Sequence, residues 1–354
     1  MRQYCLSYLK FNSYKYLKIN YLTPIAVQRL MKKTKSDLSN DKLLEIYNEM
    51  VFIRKFEEKC ASAYQQGLII GFCHLYTGQE AVLCGIKANM KDGDNIITSY
   101  RCHTQACLFS KNPYGVMCEL LGRKDGLSKG KGGSMHIFSP EGNFWGGHGI
   151  VGAQIPIGTG IAFAEKYKGT DNICIAFMGD GAVNQGQVYE SWNMASLWGL
   201  PVLYVIENNK YAMGTAVKRH SCNGEKLYTR GEPMGIHGEE VDGMDFFAVY
   251  EKAKELIDKV RSEQKPYILQ VNTYRYRGHS MSDPATYRTK EEVNDWKARD
   301  AIKSFGEKLV VMKVLTDNKI EEIDDQKTDE VNDIFIKAKS CELTPIEELT
   351  TDVF

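Results

Sequence analysis

The segment from Ile173 to Asn209 constrains this chain more than any other. Two short apolar runs, Ile173-Cys174-Ile175-Ala176-Phe177-Met178 and Pro201-Val202-Leu203-Tyr204-Val205-Ile206, each stop abruptly in a polar cluster. The first ends in Gly179-Asp180-Gly181 and the second in Asn208-Asn209, with 26 residues between the two clusters. Apolar runs this short read as strands buried on both faces, as in a parallel sheet. Between them, Gly186 to Trp198 places Val188, Trp192 and Ala195 at helical spacing. A strand–helix–strand crossover brings both polar clusters to the carboxyl ends of strands, the edge at which open parallel sheets bind ligands.

The residues at that edge suit a hard cation beside a diphosphate. Mg²⁺ takes oxygen ligands in octahedral geometry, usually one or two carboxylates together with phosphate oxygens. Asp180 offers a carboxylate, Asn209 an amide oxygen, and a backbone carbonyl just after Asn209 a third ligand. Gly179 and Gly181 let the backbone approach a bulky anion. Gly-Asp-Gly alone is also ordinary turn chemistry; Asn-Asn one crossover later favours metal and diphosphate. A dinucleotide loop does not fit. Gly158-Thr159-Gly160-Ile161-Ala162-Phe163 has Phe where the third glycine belongs, and Gly179-Asp180-Gly181-Ala182-Val183-Asn184 has Asn.

The rest of the chain supports an α/β fold, a single doubly wound parallel sheet with flanking helices. Leu43, Leu44, Tyr47, Met50, Val51 and Phe56 mark an amphipathic helix from Ser39 to about Gln66. Gly78-Gln79-Glu80 opens a second helix through Met90. Ile96-Ile97-Thr98 is a short strand ending at Tyr100-Arg101, and residues 267–273 form another. Gly122 to Gly160 holds 12 of the 31 glycines, so irregular backbone is expected there. Thr289 and Glu292 form a capping box that opens a charged helical tail with Trp296, Ile302, Phe305 and Leu309 on one side.

The 45 basic and 45 acidic residues are unevenly placed. Residues 1–36 hold two Arg, six Lys and no acid, leaving 37 basic against 45 acidic residues, or −8, for the remainder. A negative globular body argues against nucleic acid as a partner. No apolar run approaches the ~18 residues of a membrane span, so no membrane insertion is expected. Ten scattered cysteines without a Cys-x-x-Cys pair fit reduced thiols and no structural zinc. Residues 1–36 read as a basic arm or as sequence upstream of a start at Met31. They are too poor in Arg and Ser for a typical mitochondrial transit peptide. Residues 37–345 form the expected domain and 346–354 a tail. The composition favours the bacterial cytoplasm, with the mitochondrial matrix as the alternative.

Gly-Asp-Gly, about 26 residues and Asn-Asn resemble the thiamine diphosphate fingerprint. A narrower resemblance comes from Gly179-Asp180-Gly181-Ala182-Val183-Asn184-Gln185-Gly186-Gln187 and Glu207-Asn208-Asn209-Lys210-Tyr211-Ala212-Met213-Gly214-Thr215. These are similar to alpha subunits of the decarboxylating component of 2-oxoacid dehydrogenase complexes. Gly71-Phe72-Cys73-His74-Leu75, Gly130-Lys131-Gly132-Gly133-Ser134-Met135-His136 and Tyr274-Arg275-Tyr276-Arg277-Gly278-His279-Ser280-Met281-Ser282-Asp283-Pro284 agree. The last stretch is most similar to the pyruvate type. The resemblance runs from about Leu43 to about Pro345.

The resemblance implies a thiamine diphosphate-binding fold with Mg²⁺ held by Asp180, Asn209 and the Tyr211 carbonyl. Gly181 and Ala182 would meet the phosphates through backbone N–H groups at a helix start, with Arg101 and Tyr100 nearby. Without the resemblance, Tyr100 and Arg101 also fit a surface ion pair. Gly149, Ile150 and Val151 would contact the aminopyrimidine ring; Phe72 and Ala212 complete the cofactor-binding set. His74 and His279 would act on the substrate, His279 also facing the cofactor; His103, His136, His148, His220 and His237 keep structural roles.

In the family the acid for the pyrimidine nitrogen is a glutamate of a beta subunit. The resemblance therefore implies an α₂β₂ heterotetramer with its site at the interface, inactive as the isolated chain. Its reaction decarboxylates a 2-oxoacid, here pyruvate, and acylates the lipoyl group of an acyltransferase core. Acetoin and branched-chain 2-oxoacid types are alternatives, as is a non-catalytic scaffold, which would predict a broken metal set. Ser280 matches a position phosphorylated in some mammalian relatives. Ala216 and Thr286 depart from two other such positions, so these hydroxyls are expected to be solvated loop residues.

Overall fold

The computed structural model of the chain describes residues 37–353. The expected basic arm, 1–36, lies outside the described residues. From Leu38 onward the chain forms one unit. Its core is a six-stranded, wholly parallel sheet in the order β2-β1-β3-β4-β8-β7. The strands are β1 (Asn95–Ser99), β2 (Phe144–His148), β3 (Cys174–Gly179), β4 (Val202–Asn208), β7 (His237–Asp242) and β8 (Tyr267–Asn272). A short antiparallel ribbon, β5 (Tyr211–Ala212) with β6 (Thr215–Ala216), follows β4.

Alternation along the strands divides the core in two. Cys174, Ala176 and Met178 of β3 and Val202, Tyr204 and Ile206 of β4 face one cluster. Ile175 and Phe177, with Leu203 and Val205, face the other. Helices cover both faces, so the central positions 174–178 and 202–206 are apolar on both sides. On the first face lie α5 (Gln154–Lys168) and α6 (Gly186–Trp198), through Ile155, Ala162, Val188 and Trp192. On the second lie α1 (Asn40–Gln65), α2 (Glu80–Lys87), α3 (His103–Ser110), α4 (Pro113–Leu120) and α8 (Phe246–Glu263); the single turn α7 (Val217–His220) follows the ribbon and buries Val217 in the first cluster. The C-terminal helices α9 (Lys290–Ala298), α10 (Ala301–Val311) and α11 (Asp317–Ser340) follow.

Several helix ends are those the sequence predicts. Ser39 accepts from the Lys42 N–H, and α1 runs to Gln65. Thr289 likewise accepts from the Glu292 N–H at 3.1 Å. The capping box is only half formed, however: the Glu292 carboxylate turns away to the hydroxyls of Tyr211 and Tyr274, each at 2.9 Å. The second helix ends at Lys87, before Met90.

The charged tail is three helices, interrupted near Arg299 and after Val311. Ile302, Phe305 and Leu309 are buried as expected, but Trp296 stacks on Tyr274 at 5.1 Å. Edge strands β2 and β7 lack the long apolar runs of central strands and so carry no strand signal in the sequence. The glycine-rich stretch is not all irregular, because it includes β2 and the start of α5. Gly158 lets α5 lie on the sheet; a Cβ there would sit 2.9 Å from Ala176 Cβ and Ile97 Cγ2. Residues 346–350 form a short 3-10 turn, and Glu348 and Asp352 pair with Lys129 and Lys131.

Candidate functional site

The loops leaving β1, β3, β4 and β8 meet at one edge of the sheet. Asp180 follows β3, and Asn209 and Tyr211 follow β4. Asp180 is 2% exposed, and its Oδ2 lies 3.3 Å from His220 Nε2. Asn209 and Tyr211 point their oxygens at one spot. There an Arg275 nitrogen donates to Asn209 Oδ1 at 3.1 Å and to the Tyr211 carbonyl at 2.7 Å. The other guanidinium nitrogen donates to the Met213 carbonyl at 2.5 Å and to the Tyr287 hydroxyl at 2.9 Å. Tyr287 in turn donates to Asp283. Two oxygens assigned to a metal by resemblance thus converge on one cationic nitrogen.

Next to this cluster is a cavity of about 560 Å³, lined by Phe72, His74, Tyr100, Met135, Gly149, Val151, Met213, Gly214, His279, Ser280, Ser282, Asp283 and Tyr287. His74 and His279 come from segments some 200 residues apart, with ring centroids 4.9 Å apart. Tyr100 packs 4.4 Å from His74 and 5.6 Å from His279. Burial, then the charges of Arg101 and His279, pushes the His74 imidazole down to about 2. Burial, then Arg101 and Arg275, pushes His279 down to about 4. Both rings are neutral at neutral pH in this environment.

Arg101 is buried, which replaces the surface ion pair that its sequence also allowed. It donates to the carbonyls of Leu75 and His279 and so ties the two histidine segments together. Gly149 and Val151 line the cavity, while Ile150 is 73% exposed and Phe72 is 59% exposed at its rim. Gly181 and Ala182 begin a short 3-10 turn, Ala182–Asn184, and the α-helix starts only at Gly186. The expected helix start at Gly181 is therefore a tight turn. Gly181 packs against Ala212; a Cβ on it would lie 2.6 Å from the Ala212 Cβ. Ser280 is buried, with Oγ 2.9 Å from Ser282 Oγ, which replaces the solvated position expected for it.

Sequence reasoning missed several residues here. Arg275 stood only as a neighbour of His279, and its reach to Asn209 is purely tertiary. Gln79 is buried and accepts from the Asn209 amide at 3.2 Å, with no local signal at all. His220, whose local sequence points only to a structural role, lies against Asp180. Glu207, the last residue before Asn208-Asn209, accepts from the Tyr76 hydroxyl. Burial raises its carboxyl to about 7, against the opposing pull of Tyr76 and Arg101.

Known proteins share this sequence over almost its whole described length. The family described as "Dehydrogenase E1 component" matches residues 48–347. A "Pyruvate dehydrogenase E1 component subunit alpha" of Rickettsia felis is 50% identical over 324 residues, 92% of this chain and 99% of the relative. The protein of that name from Rhizobium meliloti is 50% identical over 321 residues, 90% of this chain and 92% of its own. A mitochondrial relative from Dictyostelium discoideum is 48% identical over 318 residues, 89% of this chain and 83% of its own.

Proposed function

The chain belongs to the dehydrogenase E1 component family, and from that premise we infer that it is the alpha subunit of a pyruvate dehydrogenase. The family depends on thiamine diphosphate, which supplies the electron sink for decarboxylation when bound. The observation that carries the reading is the convergence of Asn209 Oδ1 and the Tyr211 carbonyl on one cationic nitrogen beside the His74–His279 cavity.

The residues present fit the cofactor and a Mg²⁺ ion. The donor set is all oxygen, a carboxylate, an amide and a carbonyl, as a hard cation requires. Among the described residues, His74 Nδ1, Gln79 Nε2 and Arg275 Nε are buried with no protein partner, as fits a polar ligand. Asp180, Asn209 and Tyr211 would hold the metal, and Arg275, which donates to two of those oxygens, would add positive charge beside the diphosphate. Gly181 and Ala182 would offer backbone N–H groups to the phosphates. Gly149, Ile150 and Val151 would form the wall for the ring, with Phe72 and Ala212 completing the pocket.

In this reading His74 and His279, neutral in their buried setting, hydrogen-bond the substrate carboxylate and move a proton beside the reacting carbon. Arg101 orients both through the Leu75 and His279 carbonyls. Ring and carbonyl groups at the rim exclude water once a partner covers them.

An alpha subunit implies a beta subunit and a larger complex. The finer reading is an α₂β₂ assembly that passes its acyl group to a lipoyl acyltransferase in a bacterial cytoplasm. The bacterial relatives support that location, and among the described residues no helix is long and apolar enough to cross a membrane. The exposed Phe72, Ile150, Val151 and Met213 beside the cavity support a covering partner.

The test is ferricyanide reduction by the chain assembled with its beta subunit, thiamine diphosphate and Mg²⁺. Activity confined to pyruvate and lost in Asp180→Ala is the expected result. Preference for acetoin or 3-methyl-2-oxobutanoate would change the substrate. Silence toward all three in a well-formed assembly would overturn the enzymatic reading.

A further inference from the structure

A chain of buried hydrogen bonds connects two walls of the cavity from behind. Glu57, in α1, is fully buried, and its two oxygens face different segments. Oε1 accepts from the Tyr76 N–H at 3.0 Å, and Oε2 meets His103 Nδ1 at 2.9 Å. On the far side of the ring, His103 Nε2 lies 2.8 Å from Ser134 Oγ and 3.1 Å from the Ser134 carbonyl. Tyr76 stands two residues after His74, and Ser134 stands one before Met135. His74 and Met135 both line the cavity.

Two other uses of this cluster fail on the geometry. Acid, imidazole and hydroxyl in a row can activate a nucleophile. Here, however, the hydroxyl is sealed: Ser134 is 4% exposed and does not line the cavity. Glu57, Cys60 and His103 also lie close enough to share a metal ion. Yet both Glu57 oxygens and both His103 nitrogens already have protein partners. Burial and the Glu57 charge raise the Cys60 thiol well above its ordinary range, which opposes the thiolate a metal needs.

We propose that Glu57 and His103 are positioning residues that lock the His74 segment and the Met135 loop into a single geometry. The proposal rests on reading the cavity as the decarboxylation site. The imidazole is rigid, so a fixed separation between its nitrogens sets the separation of the two segments. Its Nδ1–H donates to Glu57, which leaves Nε2 to accept the Ser134 hydroxyl proton. Glu57→Gln keeps the shape and the acceptor for Tyr76 but turns an N–H₂ toward Nδ1. The ring proton must then move to Nε2, where it faces the Ser134 hydroxyl and carbonyl oxygens and reverses the bond that sets the loop.

The experiment uses the assembly with the beta subunit, and the unmutated protein comes first. If it fails to turn over pyruvate, the functional reading falls, and the positioning claim is decided by amide exchange alone. In an active assembly, Glu57→Gln and Ser134→Ala should each lower kcat about 10- to 100-fold, the scale of a small misplacement of reacting groups, with KM for pyruvate near wild type. The double variant should lose no more than the worse single variant, because both break one device. Without cofactor, hydrogen exchange should speed up together at Tyr76 and at residues 134–137 in each variant. Unchanged kcat, multiplying losses, or faster exchange confined to the mutated segment would overturn the proposal. Ser134→Ala removes only one hydroxyl, so it carries the test even if Glu57→Gln fails to fold.

Discussion

Replacing Glu119 with Gln should loosen the glycine-rich loop that leads to Met135, without unfolding the domain. Glu119, near the end of α4, is fully buried, and its carboxylate accepts four backbone N–H groups of the loop. Oε1 takes those of Gly132 and Gly133 at 2.7 and 3.1 Å. Oε2 takes those of Ser128 and Gly130 at 2.7 and 2.9 Å. Gly126 makes room, since a Cβ there would lie 2.3 Å from Oε2. In Gln, one oxygen becomes an N–H₂ aimed at two N–H donors, so two charge-assisted bonds are lost. At about 1.5–3 kcal/mol each, the loss is about 3–6 kcal/mol. That is comparable to the stability of many whole domains but falls on one loop.

Trypsin reads this directly, because Lys129 and Lys131 lie in the loop. When opening is fast, nicking follows the open population, so even 3 kcal/mol predicts about 100-fold faster cleavage there. Cleavage after Lys259, in α8, serves as the control. Cleavage at Lys129 and Lys131 within about twofold of wild type would refute the reasoning from charge-assisted bonds.

Three other outcomes follow from the geometry. Arg275→Lys keeps the charge but replaces a fork holding Asn209, Tyr211, Met213 and Tyr287 with a single ammonium; thiamine diphosphate should bind about 10- to 100-fold more weakly by fluorescence titration with Mg²⁺. A folded-state value of about 2 for His74 lies below the ordinary histidine value, so the unfolded chain binds the extra proton. Stability without cofactor should fall as pH drops from about 6.5 toward 4, by up to about 1.4 kcal/mol per pH unit from this ring, and His74→Gln should flatten that slope in denaturant titrations. An unchanged slope would rule out a neutral, buried His74. Gly158→Val would push methyls against Ala176 and Ile97 and should cost about 1–3 kcal/mol, visible as a lower Tm with the same fold.

The sequence was most legible where local pattern and tertiary burial agree. The runs at 173–178 and 202–206 became adjacent parallel strands because strands covered on both faces must be apolar at every position. The intervening helix formed at Gly186–Trp198, where its spacing placed it. Edge strands were harder to read. Phe144-Trp145-Gly146-Gly147-His148 pairs on one side only and needs little apolar surface, so composition alone read it as loop.

The sequence by itself determined that Asp180 and Asn209 end neighbouring strands, because chain order and strand periodicity are local properties. It also identified the segments of His74 and His279 as members of one family motif set. Only the tertiary structure decided what those residues touch. Arg275 reaches Asn209 across 66 residues, Gln79 across 130, and Glu119 gathers four amides from a loop whose own lysines, Lys129 and Lys131, pair elsewhere with Glu348 and Asp352. The reason is physical. A buried polar atom must find a partner, but nothing in local sequence says which distant segment supplies it. That choice is made when the sheet closes and the loops at its carboxyl edge are forced to share one small volume.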